Sequence, residues 1–416
     1  MSILVTHPTG NRNVRAIIES FSQSGELLRF GTTISADPSS AWLKFLPAGF
    51  RREWLRRSYP VPDELIWTHP LRELARMGLS RTGPKYLTRH EKGWASIYSV
   101  YKEFDAAVAR NLAWFSKGKK LKGVYAYEDG ALETFKKARR LGITCIYDLP
   151  IAYWETGRRL MQEEAERLPA WAPTLGGGIK DSQAKLERKT EEMALADVVV
   201  TPGNFVARSL PGFAETKKII ISPFGSPAAL PGYHKAFDEK KKLKVLFAGS
   251  MGQRKGLGDL FAAMNLLGGR PLELVVMGTL MAPMEFYKKE FDGFRYEPGR
   301  PNAEVLALMR SCDVFCLPSI VEGRALVLQE AMSQGLPLII TGNTGGEDLV
   351  IEGKTGFLVP IRSPRSIAEK IDWFLDNRNL LPEMSDNARV HAAGYTWQKY
   401  GADVVSSVTG FLQRNG

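Results

Sequence analysis

The residues of this 416-residue chain best suited to chemistry lie in three loops of its second half. In Gly249-Ser-Met-Gly-Gln-Arg-Lys-Gly256, three glycines let backbone amides approach an anion. Arg254 and Lys255 add two full charges of the kind that hold a diphosphate, and a helix starting after Gly256 would aim its positive end at the same space. A plain helix start is the competing explanation. The second segment is Pro318-Ser-Ile-Val-Glu-Gly-Arg-Ala-Leu-Val-Leu-Gln-Glu330. Gly323 opens a turn into a helix from near Ala325. Glu322 and Glu330 stand about two helical turns apart, so both face one groove. One carboxylate can then contact a sugar while the other accepts from two ribose hydroxyls; an acidic cap plus a solvated helix glutamate is the plainer alternative. The third segment, Thr341-Gly-Asn-Thr-Gly-Gly-Glu-Asp348, suits an ordinary loop as well as a functional one.

Elements that would position these loops follow a repeated strand–helix rhythm. In the first half, Ile3 to Thr6, Gly123 to Tyr127, Thr144 to Tyr147, Asp197 to Thr201 and Lys218 to Ile221 read as strands. Helical patterns run from Val14 to Phe21 and from Ala131 to Leu141. The stretch from Ser35 to Leu121 is rich in Trp, Arg and Pro and reads as helical insertions. Gly225-Ser-Pro-Ala-Ala-Leu-Pro-Gly232 and the charged run Asp238 to Lys242 suit a linker. The rhythm then restarts, with strands at Lys244 to Ala248, Glu273 to Met277, Val314 to Leu317 and Leu338 to Thr341. Helices fall at Gly258 to Leu267 and Ala325 to Gln334. Such alternation predicts an α/β chain of two doubly wound, Rossmann-like domains facing across a cleft. They comprise residues 1–228 and 229–397, with about 398–416 crossing back to the first.

Apolar residues make up 44% and charged residues 24%, a globular balance, and no apolar run is long enough to span a bilayer. Met1 to Val5 lacks the basic region of a signal peptide. Three cysteines are too few for a disulfide framework, and Cys312 and Cys316 lie in an apolar run without companion ligands. They are expected to be core thiols in a reducing, cytoplasmic compartment. The net charge of +11 is uneven: residues 1–225 hold 34 basic and 24 acidic side chains, and residues 226–416 hold 22 and 21.

The ordered set of motifs resembles the family-4 glycosyltransferases, retaining enzymes of the GT-B fold. It comprises the Lys–Gly loop, Glu297-Pro-Gly-Arg-Pro301, Asp313-Val-Phe-Cys-Leu-Pro-Ser319, the Glu322/Glu330 pair, Gly353-Lys-Thr-Gly-Phe-Leu-Val359 and Tyr395-Thr-Trp397. In the first half Gly10, Ala196-Asp197 and Ile221-Ser-Pro-Phe-Gly225 match more loosely. The resemblance implies a nucleoside-diphosphate sugar, UDP- or GDP-linked, as donor, and a hydroxyl acceptor. No cofactor and no metal are expected, which agrees with the lack of an Asp-x-Asp triplet. It implies that Arg254 and Lys255 hold the donor phosphates, and that Glu322 with Gly323, Arg324, Ala325 and Leu326 holds the sugar and diphosphate. Glu330 would hold the ribose, with Gly10, Gly249, Ser250 and Gly278 completing the donor surface.

Three departures from the family pattern stand out. Ser250 replaces a common Arg; Arg324 and Ala325 replace an aromatic residue and Gly; and Tyr127 and Asp148 stand where histidines are common. Arg324 is open between a contact with the donor and a solvated position. Tyr127, Glu128 or Asp148 would position acceptor or sugar, and His7 stands close to the Gly10 turn. Trp42, Leu43, Phe45, Leu46, Phe50, Trp54 and Leu55, interleaved with Arg51, Arg52, Arg56 and Arg57, suit either a core or a peripheral site on an anionic membrane. A nucleotide-sugar epimerase or sugar-phosphate synthase of the same architecture is the runner-up function. A nucleic-acid binder would need a module that is missing here. A dinucleotide dehydrogenase would need Gly-x-Gly-x-x-Gly where this chain has Gly10-Asn-Arg-Asn.

Overall fold

A computed structural model describes residues 2–45, 48–118, 121–229, 237 and 240–415. Strands β1 (Ser2–Thr6), β2 (Leu27–Thr32), β3 (Ile66–Thr68), β4 (Leu121–Tyr127), β5 (Thr144–Asp148), β6 (Val198–Thr201) and β7 (Lys218–Ile221) form one sheet, in the order β3-β2-β1-β4-β5-β6-β7. Strands β8 (Leu243–Ala248), β9 (Leu272–Met277), β10 (Phe294–Glu297), β11 (Val314–Leu317), β12 (Leu338–Ile340) and β13 (Gly356–Leu358) form a second, in the order β10-β9-β8-β11-β12-β13. Every pairing is parallel. Central strands are apolar along their whole length because helices cover both faces; Val245 to Ala248 and Val314 to Leu317 are fully buried. In each sheet the order reverses beside the first strand, between β1 and β4 and between β8 and β11. The crevice outside those strand ends is where doubly wound folds take ligands.

Arg12–Gln23, the first helix, is capped by Asn11, whose side chain accepts from the Val14 amide. The last helix, Trp397–Asn415, crosses back onto it. Tyr400, Val404, Val408 and Leu412 share a core with Val14, Ile17 and Phe21, and a Cβ on Gly401 would overlap the Ser20 hydroxyl. The Ser35 to Leu121 stretch differs from expectation in carrying the edge strand β3. Its long helix, Ile97–Ser116, buries Phe104, Val108, Leu112 and Phe115 on the other sheet face. Of the linker, residues 225–229 are described, and 230–236, 238 and 239 lie outside the described residues.

Packing does not follow the chain boundary at 228. The 3-10 turn Pro169–Thr174 carries Trp171 into the core of the second lobe, beside Phe261 and Tyr287, with its indole N–H donating to Glu290 at 3.0 Å. Cys312 and Cys316 are core thiols, and burial pushes the Cys316 thiol up. Among the described residues no helix is long and apolar enough to cross a membrane.

Candidate functional site

The glycine-rich loop leaves β8 at Gly249, whose φ of 155° only glycine adopts readily. A Cβ on Gly278, after β9, would overlap the Gly249 carbonyl, so the two strand ends pack backbone on backbone. Ser250 accepts the Gly252 amide at 2.8 Å through its carbonyl. At Gly256 (φ 74°) a Cβ would strike the Pro318 carbonyl, which brings the loop against the end of β11.

Those approaches place three charges together. Lys255 Nζ lies 2.6 Å and Arg254 Nη1 2.8 Å from the same Glu322 oxygen, and Arg254 Nη1 also donates to the Val321 carbonyl at 3.1 Å. Burial and the neighbouring Arg254 lower the Lys255 pKa, and Glu322 opposes that shift. The triad is net cationic and sits at the sheet's switch point, beside the N-terminus of the helix Leu257–Leu266. An anion arriving there meets two held cations and a helix dipole.

Behind the loop stands a network that sequence reading missed. Buried Gln253 donates through Nε2 to Glu164 at 2.8 Å and to Asp259 at 2.9 Å; its Oε1 accepts the Gly258 amide and its own amide donates to Thr174 Oγ1. Arg167 bridges the same two carboxylates, with both nitrogens 2.8 Å from Asp259, and Arg362 pairs with Glu164 as well. Glu164, Arg167 and Thr174 come from the first half of the chain, so that half braces the loop that holds Arg254 and Lys255. Local sequence carried no signal of this, because the partners are about 80 to 90 residues apart.

Arg324 requires a correction. Its side chain has no exposed surface and neither reaches the cleft nor meets solvent. It donates to Asp348 at 2.7 and 3.1 Å, to the Gly345 carbonyl at 2.8 Å and to Gln329 Oε1 at 3.0 Å, and lies over the Tyr395 ring. The segment Thr341 to Asp348 is thus a buttress: the Glu322 and Ala325 amides donate to the carbonyls of Asn343 and Thr344. The Ala325 amide is therefore already taken, whereas Leu326 begins the helix Leu326–Ser333. Gly323 packs so closely on the first lobe that a Cβ would overlap the Pro150 carbonyl. Glu330 does not join the triad. It accepts from Asn302 Nδ2 at 2.9 Å, its pKa is raised by burial, and Arg12 of the first lobe draws it back.

In the first lobe, Gly10 (φ 56°) makes its turn with its amide donating to His7 Nδ1 at 2.8 Å. His7 is buried and, by desolvation and the charges of Arg57 and Arg15, titrates only at about 3; it is a neutral turn-holder whose remaining nitrogen carries the proton. Its ring meets Tyr127 edge-on at 4.8 Å. Tyr127 lines a cavity of about 310 Å³ with His7, Tyr98, Tyr101, Glu128 and Asp129, at the carboxyl ends of β1 and β4. Asp148 does not line it. Only 2% exposed, it accepts from Tyr125 at 2.6 Å, and burial pushes its carboxyl up to about 7. Held by buried Tyr125, which does not line the cavity either, Asp148 is not exposed to a ligand there.

His90, Glu91 and Asp181 bring oxygen and nitrogen ligand atoms within 4.8 Å of one another, but Lys185 already pairs with Asp181 at 2.9 Å. Of the basic aromatic segment, Leu43 is buried and Arg57 pairs with Glu73, whereas Phe45 is 88% exposed and Phe50 is exposed too. Leu46 lies outside the described residues.

Comparison with known proteins agrees with the motif order. Residues 233–391 match the family model described as glycosyl transferases group 1. D-inositol 3-phosphate glycosyltransferase of Corynebacterium urealyticum is 32% identical over 222 residues, covering 50% of this chain and 49% of that protein. The enzyme of the same name from Paenarthrobacter aurescens is 28% identical over 174 residues, covering 39% and 43%. The capsular polysaccharide biosynthesis glycosyltransferase CapM of Staphylococcus aureus is 25% identical over 163 residues, covering 38% and 42%. The chain thus spans half or less of the length of these curated relatives. Among solved structures, sucrose-phosphate synthase from Thermosynechococcus elongatus superposes with a TM-score of 0.64 at 16% identity, covering 100% of this chain and 98% of the other. HepE of Anabaena in complex with UDP-glucose gives 0.59 at 14% identity, covering 99% and 100%. The likeness runs the length of the chain and shows the GT-B fold, two Rossmann-like lobes in one molecule.

Proposed function

We propose that this chain, whose residues 233–391 match the glycosyl transferases group 1 model, is a metal-independent, retaining glycosyltransferase. In this proposal it moves a hexose from a UDP- or GDP-sugar to an acceptor hydroxyl, in the synthesis of a polysaccharide, glycolipid or other glycoconjugate. The observation that carries the proposal is the meeting of Arg254 and Lys255 on one Glu322 oxygen at the switch point of the second sheet. The two cations neutralise the diphosphate as negative charge grows on it, and they are in place before the reaction starts. Glu322 holds them there and reaches the donor sugar. Gly249, Ser250 and Gly278 keep the strand ends low enough for the nucleotide to lie on them, Glu330 takes the ribose, and Gly10 closes the site from the first lobe. The acceptor hydroxyl attacks on the face the nucleotide leaves, beside Tyr127, and the leaving phosphate takes its proton.

The names of the relatives bring both a phosphorylated polyol and a capsular glycan forward as acceptor classes. A thermal-shift panel of nucleotide sugars, followed by mass spectrometry of products with the stabilising donor, tests the proposal. A shift with one UDP- or GDP-sugar and a glycoside of retained configuration are expected; no shift with any nucleotide or nucleotide sugar would refute it. Exposed Phe45 and Phe50 beside Arg51 and Arg52 also support peripheral attachment to an anionic membrane from the cytoplasmic side. Flotation with anionic vesicles at low salt tests this, and failure to float removes it.

A further inference from the structure

We propose that the first-lobe cavity is an acceptor subsite for an uncharged polyhydroxylated compound, a neutral sugar or polyol rather than a phosphorylated or carboxylated one. The inference rests on the glycosyltransferase reading above and adds the acceptor's chemistry to it.

The cavity holds about 310 Å³, at the small end of the roughly 300–1,000 Å³ usual for small-molecule sites. Pro150 forms part of its wall and is also the residue on which Gly323 packs, so the cavity adjoins the turn that carries Glu322. Tyr98, Tyr101 and Tyr127 give it an aromatic side, suited to the C–H faces of a sugar ring. Glu128 and Asp129 supply the polar side, and a carboxylate can only accept hydrogen bonds there. The Asp129 side chain keeps 22% of its surface exposed where the residue lines the cavity, which leaves acceptor surface for a ligand donor such as a hydroxyl. The residue is fixed in place: its φ is 69° and its amide donates to Glu192 at 2.9 Å.

Charge decides the ligand class. Both lining residues able to carry positive charge beside this acidic side are engaged. Lys185 lies 2.9 Å from Asp181 and 3.6 Å from Asp129, and His90 lies 3.3 Å from Glu91 and from Asp181. Behind the wall, Lys189 pairs with Glu128 at 3.1 Å, and Arg188 with Asp105 and Glu192. Beyond the Gly10 turn, Arg15 donates to the carbonyls of Gly10, Ser58 and Arg56, and Arg57 pairs with Glu73. The carboxylates Glu91, Glu128, Asp129 and Asp181 thus face two lysines and a histidine. A phosphate entering here would meet repulsion from these carboxylates and would have to break existing ion pairs. A hydroxylated ring would meet hydrogen-bond acceptors.

In the reaction, the acceptor oxygen forms the new bond to the anomeric carbon as the bond from that carbon to the diphosphate breaks. The hydroxyl proton leaves with the nucleoside diphosphate. The test uses the full chain with the nucleotide sugar that stabilises it, and measures nucleoside diphosphate release with matched acceptors. The pairs are glucose and glucose 6-phosphate, myo-inositol and its monophosphate, and neutral and uronic-acid disaccharides. Expected is a kcat/KM at least tenfold higher for the neutral member of each pair that reacts. Asp129→Asn and, on the aromatic wall, Tyr98→Ala should each raise the acceptor KM with the donor's thermal shift unchanged. Preference for the charged member, or donor binding with no turnover of any neutral acceptor, overturns the proposal. If no nucleotide sugar binds at all, it is the glycosyltransferase reading that has failed.

Discussion

Replacing Gln253 by Met keeps nearly the same length and volume and removes every polar side-chain atom. In the native protein Gln253 Nε2 donates to two carboxylates, Glu164 and Asp259, and its Oε1 accepts an amide of a helix's first turn, that of Gly258. Hydrogen bonds to charged partners contribute about 1.5–3 kcal/mol each, and the low end applies because Arg167 still serves both carboxylates. Two such bonds and one neutral bond together come to roughly 3.5–4.5 kcal/mol. The loop bearing Arg254 and Lys255 then loses its brace and must be ordered by the ligand, so nucleotide affinity should fall by about tenfold, equivalent to roughly 1.4 kcal/mol of that loss. Urea unfolding and titration calorimetry with a nucleoside diphosphate measure the two effects. Gln253→Glu, which sets a third carboxylate beside the other two, should be worse in both. If Gln253→Met lies within about 0.5 kcal/mol of the native protein, the range of an ordinary surface substitution, and binds nucleotide equally well, the bracing argument is wrong.

Three further outcomes are expected. Arg324→Ala should destabilise the protein by about 2–4 kcal/mol in urea unfolding, since it strands Asp348 and the Gly345 carbonyl; a neutral result would contradict its role as a buried clamp. Asp148 has a folded-state pKa of about 7, above that of an unfolded aspartate, so its contribution to stability is greatest in acid and is lost as the pH rises through 7. Asp148→Asn should therefore be more stable than the native chain at pH 8, by about 2–4 kcal/mol, with the difference shrinking toward pH 4; an unchanged gap would remove the assignment. Gly323→Ala should push the lobes apart at Pro150 and slow turnover by about 10²-fold, visible also as expansion in small-angle scattering. Unaltered scattering and turnover would show that the contact tolerates a methyl group.

Much of this architecture could be read in the chain because its signals are local. Apolar runs such as Val314 to Leu317 declare buried parallel strands, and Gly249, Gly252 and Gly256 mark a loop that must pass close to other backbone. The strands β3, β10 and β13 escaped, being brief or lying where composition suggested helix, and the six-residue β2 escaped because Arg29 and Gly31 interrupt its apolar run. Arg324 was legible as a cation but not as a clamp, because its role depends on Asp348 and Gly345, which fold back from the following loop. Similarly, Asp148 occupies an expected strand end, yet whether its carboxyl faces the cleft or the core depends on Tyr125 and the last helix. The Glu322 triad was half-legible: each member was singled out, but their meeting on one oxygen depends on Gly256 packing against Pro318.

Trp171 also bears on how the protein is made. It is synthesised well before β8, yet its burial site is assembled from Phe261, Tyr287 and their neighbours more than 80 residues later. On the ribosome the first half therefore emerges with a large indole that nothing yet covers, and such exposed apolar surface invites aggregation. A gene cut at the linker would release two fragments, one carrying an orphaned tryptophan and the other a vacancy of matching shape. The two halves are separate folds by topology and a single cooperative unit by packing.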